Sequence, residues 1–258
     1  MMIMKRWTTV LLAAVLLAGC GRHYQVVSVE RTRTLIDNRY DARLNPATES
    51  WLAPYRAEVE KQSAPVVGHA GMYMEADRPE APLSNLLPDI LMWAAAEYGE
   101  KPDFAVYNIG GMRAALSKGA VTVGDVNEVA PFDNKICFVT LSGDAVTELF
   151  AQIAGRGGEG LSHGVELSIG RNGALLNARL NGEPIDPKRD YRIATIDYLL
   201  PGADGMVAFK KSRQLNAPNE EKNNTRFVIM DYFRYMEKLG KPVTAKVEGR
   251  VRIVENGK

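Results

Sequence analysis

Short apolar runs separated by glycine, asparagine and proline turns constrain the fold of this chain more than any other feature of its sequence. Some runs have the length and β-branched content of strands, and others place apolar residues at the i, i+3, i+4, i+7 spacing of amphipathic helices. Strands are predicted at 66–70, 104–107, 136–141, 165–169, 175–180 and 191–196. Helices are predicted at 49–62, at 85–97 with Asn85 as the N-cap, after a Ser142 cap through Ile153, and at 227–239. Because these elements do not follow a strict βαβ order, the sequence predicts an α+β domain with a mixed β-sheet and packed helices.

The composition is that of an ordinary globular protein. The 258 residues are 46% hydrophobic and 24% charged, which excludes collagen-like, coiled-coil, low-complexity and disordered chains. The formal net charge is +1, without the clustered basic excess that nucleic-acid binding requires. We therefore expect one folded domain, alone or with a small extension, and no nucleic-acid partner.

The first twenty residues are typical of an export signal. Lys5 and Arg6 precede the apolar run 7–17, which is too short to span a bilayer as a stable helix. The Leu-Ala-Gly-Cys sequence at 17–20 resembles a bacterial lipobox, in which the cysteine thiol takes a diacylglycerol thioether. We expect residues 1–19 to be a lipoprotein signal peptide and Cys20 to carry the lipid, which would anchor the chain to a membrane of the bacterial cell envelope. The alternatives are an uncleaved anchor and an ordinary signal peptide.

The remainder of the chain is predicted to have two parts. Residues 20–48 are interpreted as a tether that leads into a first strand, and residues 49–258 as the folded domain. The second cysteine, Cys137, lies in the strand-like run Ile-Cys-Phe-Val-Thr and is predicted to be a buried thiol. With Cys20 lipidated no second thiol remains, so no disulfide is expected.

Four segments place polar or glycine residues directly after apolar strands. They are Asn-Ile-Gly-Gly-Met-Arg at 108–113, Pro-Phe-Asp-Asn at 131–134, Leu-Ser-His-Gly at 161–164 and Asp-Tyr-Leu-Leu-Pro-Gly-Ala-Asp-Gly-Met at 197–206. Taken singly, each pattern is more often a turn, a loop or a core aromatic than a functional site. Further motifs accompany them in order, namely Gly-Asp-Val at 124–126, Ser-Gly-Asp-Ala-Val at 142–146 and Tyr-Arg-Ile-Ala-Thr at 191–195. Together they resemble the C-terminal domain of the 5'-nucleotidase / UDP-sugar hydrolase family over residues 60–255.

The resemblance implies a domain with that family's fold that binds the nucleoside part of a nucleotide. Phe132 and Tyr198 match the two aromatic side chains that sandwich the base in that family. Base–aromatic stacking contributes ~1–3 kcal/mol per base and tolerates different bases.

The resemblance also implies roles for four polar side chains. Asn108 and Asn134 would offer hydrogen-bond donors and acceptors to the base edge or to neighbouring backbone. The Asp204 carboxylate would accept hydrogen bonds from ribose hydroxyls, and the planar Arg113 guanidinium suits phosphate oxygens.

Some positions depart from the family pattern. Ile109 and Ala203 replace glycines, and Met206 replaces a common aromatic. Arg78 is the nearest candidate for an arginine that many members carry close to the helix predicted at 85–97. These departures predict a pocket that is looser, shifted in specificity or degraded.

The sequence lacks the motifs of the family's catalytic domain. That domain holds two metal ions through Asp-x-His, Gly-Asn-His-Asp/Glu and His-x-His motifs. The two ions clamp the attacking and leaving oxygens of the reaction. His23, His69 and His163 are the three histidines of this sequence, and none has such neighbours. His23 is assigned to the tether and His69 to a strand end, whereas His163 is either a structural residue or a nucleotide contact. We therefore expect no catalytic residue, metal or cofactor in this chain, and divalent metals only in a partner metallophosphatase.

Three functions remain open at this point. The first is the nucleotide-recognition half of a split 5'-nucleotidase, completed by a separate metallophosphatase chain. The second is a nucleotide- or nucleoside-binding envelope lipoprotein without a catalytic role. The third is a structural envelope protein whose pocket is vestigial.

Overall fold

The computed structural model describes residues 25–35, 37–39 and 45–255. The chain divides into two units between Trp51 and Leu52. In the first unit, residues 25–35 are exposed and form neither helix nor strand, so the strand expected within 20–48 is not found among them. The predicted signal peptide, Cys20 and His23 lie outside the described residues.

The second unit contains most of the regular secondary structure. Five α-helices, α1 to α5, lie in the described residues, at Pro46–Ser63, Pro82–Ala94, Val123–Val129, Gly143–Gly155 and Thr225–Lys238. The strands β1 to β11 are Val66–Ala70, Phe104–Tyr107, Gly119–Thr122, Ile136–Ser142, Gly160–Leu161, Val165–Gly170, Leu175–Leu180, Glu183–Pro184, Asp190–Ile196, Arg213–Asn216 and Val251–Val254. None of the described helices combines the length and the apolar character needed to cross a membrane.

The strands form mixed sheets. The largest has the order β10-β4-β9-β2-β5, in which β2 and β9 are parallel and the other neighbours are antiparallel. A four-stranded sheet has the order β11-β6-β7-β8 with β11 and β6 parallel, and β1 pairs with β3 antiparallel. Mixed sheets with packed helices confirm the predicted α+β class.

The core lies around β2, β4 and β9, whose residues are almost all buried. The four apolar residues of α4 predicted from the helical spacing are fully buried, and Ser142 caps this helix by accepting a hydrogen bond from the Ala145 amide. The rings of Phe104 on β2 and Phe150 on α4 have centroids 5.2 Å apart. Burying each such side chain stabilises the fold by about 1.5–3 kcal/mol. Cys137 is buried as predicted, and burial raises the pKa of its thiol.

The prediction that Asn85 caps a helix is wrong. Helix α2 begins three residues earlier, at Pro82, whose fixed φ suits the first helical position. The Ser84 hydroxyl accepts a hydrogen bond from the Ala81 amide at 2.9 Å and so satisfies the helix start. Asn85 is buried inside the helix and donates to Glu80 and, at 2.8 Å, to the carbonyl of Lys246. Its polar side chain therefore fastens α2 to the C-terminal segment.

Helix α1 also differs from what the sequence predicts. The predicted helix is present and extends from Pro46 to Ser63, but none of its residues is buried. Tyr55 and Val59, which belong to the apolar stripe, remain exposed. The helical spacing of apolar residues therefore predicted the helix correctly, although its apolar stripe does not pack into the core.

Candidate functional site

One edge of the five-stranded sheet brings the distant predicted segments together. Asn108 directly follows β2, and Tyr198 lies two residues after β9. Because β2 and β9 are parallel neighbours, both of these strand ends lie at the same edge. Strand β4 is antiparallel to β9, with Ile136 opposite Ile196, so the residues that precede β4 reach this edge too. Topology therefore explains why segments far apart along the chain converge.

All six predicted site residues line one cleft of about 380 Å³ at this edge. Two glycines complete the lining, so the full set is Asn108, Gly110, Gly111, Arg113, Phe132, Asn134, Tyr198 and Asp204. The structure thus brings the predicted residues together, and the role of each remains a prediction.

Two aromatic side chains are exposed in the cleft. Phe132 is 46% exposed and Tyr198 is 43% exposed, so neither belongs to the core. Aromatic side chains enclosed in a core would be almost fully buried, as Phe104 and Phe138 are. Exposed rings that line a cleft present apolar faces on which a planar ligand can stack.

The polar part of the cleft is built on a contact between Asn108 and Asp204. Asn108 is only 4% exposed, and its Nδ2 donates to Asp204 Oδ2 at 2.7 Å. A carboxylate can only accept, so this contact fixes which end of the amide is the NH₂ group. The other end, Asn108 Oδ1, is buried and has no hydrogen-bond partner among the described residues. A Cβ at Gly111 would lie 2.8 Å from this oxygen, so glycine is needed to leave it room.

Asp204 itself has an unusual backbone conformation. Its φ of 54° and ψ of 24° lie in the left-handed region, between the glycines at 202 and 205. A non-glycine residue there costs roughly 1–2 kcal/mol, although aspartate tolerates it better than most residues. Strained residues held by their surroundings concentrate at functional sites, which is consistent with a cleft role for this carboxylate.

A buried carboxylate that the sequence analysis did not single out lies beside the cleft. The side chain of Glu159 is fully buried, and its Oε2 accepts a hydrogen bond from the Ile109 amide at 2.6 Å. Its Oε1 accepts from Arg156 Nε at 2.7 Å and also pairs with Arg78. Arg156 in turn lies 3.4 Å from Asp204 Oδ1, and its hydrogen bond to Glu159 raises its pKa. The one sequence feature that could have pointed to Glu159 is its position as an acidic residue within the glycine-rich stretch 155–160.

The other predicted polar residues occupy different settings. Arg113 is exposed and donates to the carbonyl of Gly110 at 3.3 Å, so its guanidinium remains accessible from the cleft. Asn134 is half-buried. Its backbone carbonyl accepts a hydrogen bond from the Thr225 backbone amide at 2.8 Å, which joins the cleft to the start of α5. Arg78 does not line the cleft, because Glu159 and the carbonyl of Gly158 hold its guanidinium.

His163 lies outside this cleft. It lines a separate cavity of about 280 Å³, and its Nδ1 lies 2.9 Å from Glu248 Oε2. This contact lowers the pKa of the Glu248 carboxyl. Of the two interpretations of His163, its position in the structure favours the structural one. His69 lies on β1 at 2.9 Å from Glu237, consistent with a strand-end structural residue.

The departures from the family pattern fall mainly in the core. Ile109 is 7% exposed and Met206 is fully buried, and neither lines the cleft. Ala203 is half-buried next to Asp204. The side chains of Ile109 and Met206 therefore contribute apolar packing and leave the surface of the cleft to the predicted residues.

The described residues do not provide the ligands for a two-metal centre like that of the family's catalytic domain. Within residues 25–35, 37–39 and 45–255, no group of three or more His, Cys, Asp or Glu side chains is arranged to hold a metal ion.

Comparisons with known proteins agree with this architecture. The model of the family described as 5'-nucleotidase, C-terminal domain, matches residues 66–211. Protein UshA of Yersinia enterocolitica is 27% identical over 164 residues, which cover 62% of this chain and 30% of that protein. The trifunctional nucleotide phosphoesterase protein YfkN of Bacillus subtilis is 27% identical over 229 residues, which cover 81% of this chain and 15% of that protein.

Solved structures share the fold. The crystal structure of a 5'-nucleotidase precursor from Thermus thermophilus superimposes with a TM-score of 0.67 at 24% identity, covering 82% of this chain and 43% of that one. The chain therefore spans less than half the length of each of these relatives.

Proposed function

The chain belongs to the 5'-nucleotidase C-terminal domain family, and from this premise we propose that its cleft binds the base and ribose of a nucleotide whose phosphate ester is hydrolysed by a separate metallophosphatase chain. The observation that carries this proposal is the convergence of two exposed aromatic rings and four polar side chains on one cleft. Among the described residues that line the cavity beside His163 there is no Phe, Tyr or Trp, so that cavity lacks this combination.

Each part of the cleft suits one part of a nucleotide. Phe132 and Tyr198 provide apolar ring faces for the base, and stacking is tolerant of base identity. The Asp204 carboxylate can accept hydrogen bonds from ribose hydroxyls. Arg113 offers a planar, permanently charged group for phosphate oxygens that extend from the cleft towards a partner.

The proposal is tested by titrating the purified chain with adenosine and AMP. Phe132→Ala and Tyr198→Ala are each expected to weaken binding by ~1–3 kcal/mol, roughly fivefold to 150-fold, with little change in the melting temperature. Tyr235→Ala is the matched control, because Tyr235 has the same 43% exposure as Tyr198 and does not line the cleft. Reduced melting temperatures with unchanged affinity would assign the two rings to packing and contradict the proposal.

We also propose that the chain is a lipoprotein of the bacterial cell envelope, anchored through Cys20. The basic start, the apolar run and the Leu-Ala-Gly-Cys sequence support this assignment. Cys20→Ser is expected to release the protein from the membrane fraction without altering its unfolding transition. A processed serine variant that still fractionates with membranes would exclude the lipid as the anchor.

A further inference from the structure

Glu159 closes a ring of polar contacts behind the cleft. Through one carboxylate oxygen it holds the amide of Ile109, and through the other it holds Arg156. Arg156 reaches Asp204, and Asp204 accepts from the side chain of Asn108. Because Asn108 and Ile109 are consecutive, the chain of contacts returns to its start. The buried carboxylate thus supports both cleft residues, one through the backbone and the other through Arg156.

The ring orients the polar side chains of Asn108 and Asp204. One N–H of the Asn108 amide group is donated to Asp204, and the buried Oδ1 of that amide has no hydrogen-bond partner among the described residues. The Asp204 carboxylate can only accept. A ligand that supplies hydroxyl donors can satisfy this carboxylate, whereas a ligand without donors would leave it without that partner.

We propose that Glu159 is a positioning residue: through the Ile109 amide and Arg156 it holds Asn108 and Asp204 in the orientation in which the Asp204 carboxylate selects nucleosides with ribose hydroxyls over their deoxygenated analogues. The selectivity rests on the proposed function, because it needs a nucleoside in the cleft. A site built to hydrogen-bond a hydroxyl rejects a ligand that lacks it far more strongly than an apolar pocket does.

The first test compares adenosine with 2',3'-dideoxyadenosine by calorimetric titration. The unmodified chain is expected to bind adenosine at least about tenfold more tightly than the dideoxy analogue. Glu159→Gln keeps the side-chain volume, but its amide group then faces either the Ile109 amide or Arg156, which are both donors. The preference for adenosine is expected to fall to about threefold or less, because Asn108 and Asp204 lose their fixed orientation.

Two further variants separate positioning from folding. Arg156→Gln breaks the link between Glu159 and Asp204 at a side chain that is one-third exposed, and Glu159 keeps its contact with Arg78. This variant should fold and should also lose much of the preference for adenosine. Glu166→Gln makes the same substitution at an exposed position of β6 and is expected to leave the preference unchanged.

The second test needs no ligand. In the free protein, NMR should show slow hydrogen exchange of the Asn108 side-chain amide, since Asp204 holds it, and faster exchange in Glu159→Gln. Unchanged exchange in that variant overturns the positioning role, even if nucleosides bind. Binding of neither nucleoside by the unmodified chain overturns the proposed function and the selectivity, while the amide exchange still decides the role of Glu159. An equal preference for adenosine in all variants overturns the dependence of the selectivity on Glu159, and equal binding of the two nucleosides by the unmodified chain overturns the selectivity itself.

Discussion

Arg250 and Arg171 carry the same charge in very different surroundings. The Arg250 side chain is 6% exposed and forms two parallel hydrogen bonds to Asp89, with Nη1–Oδ1 at 2.9 Å and Nη2–Oδ2 at 2.7 Å. It also donates to the carbonyl of Leu161 at 2.8 Å. Arg171 pairs with Glu255 at 3.0 Å, but their side chains are 73% and 85% exposed. We therefore expect burial and the number of hydrogen bonds, more than the charge itself, to set how much each arginine contributes to the free energy of unfolding.

We expect Arg250→Met to lower the free energy of unfolding by about 3 kcal/mol, because it removes the guanidinium that donates to the Asp89 carboxylate and to the Leu161 carbonyl. Asp89 is 35% exposed, so water partly compensates and the loss should fall at the lower end of the range for broken buried pairs. The matched control Arg171→Met should change stability by less than about 1 kcal/mol. Urea denaturation followed by circular dichroism measures the free energy of unfolding of both variants. Equal losses of this free energy would show that burial does not set the contribution of an arginine to stability.

The residues of the cleft differ in how far the sequence could predict them. The six predicted residues lie in short motifs next to apolar strands, and the order of these motifs along the chain was informative without any knowledge of contacts. Glu159 has no periodic neighbours, and its partner Ile109 lies fifty residues away. Asn85 resembled an N-cap from its position before an apolar stripe, but proline at 82 and Ser84 supply the helix start.

Elements with their own apolar face were the most predictable ones. Helix α4 has a Ser142 cap and a four-residue stripe that is fully buried. Strand β7 has the predicted bounds at 175–180, and the turn before it contains Gly173 with φ of 80°. In these cases the local pattern and the tertiary packing favour the same structure.

Elements that depend on a distant partner escaped prediction. Strand β11 has four residues and exists through parallel pairing with β6, and β3 exists through antiparallel pairing with β1. Helix α3 did carry a local signal, since Thr122 and Asp125 form a capping box at its start. Its seven residues are too few for a helical period to be visible in the sequence.

At the scale of the whole molecule, the site is a product of strand order. The sequence contained the segments around 108, 132 and 198, but not the neighbour relations β4-β9-β2 that place them at one edge. Such pairing is decided by contacts far apart along the chain, which local patterns do not encode. The family resemblance supplied that information at the sequence level, and the structure now gives its physical reason.

The same scale decides which chemistry we expect of the isolated chain. Two-metal phosphoester hydrolysis needs several ligands around two ions, and the described residues provide no such group. We expect the purified chain to release no phosphate from AMP or UDP-sugars with added divalent metal, and phosphate release to appear when a metallophosphatase chain is added. Phe132→Ala should reduce that partner-dependent rate at low substrate concentration, whereas Tyr235→Ala should not.

The possible results of this reconstitution assign the function. Partner-dependent release that is sensitive to Phe132 supports the split enzyme, because the cleft then binds the substrate for a second chain. Tight nucleoside binding without any partner-dependent release would instead favour a binding lipoprotein. Metal-dependent turnover by the isolated chain, after contaminating phosphatases are removed, would contradict the prediction, because the described residues offer no ligand group from which a two-metal centre could be built.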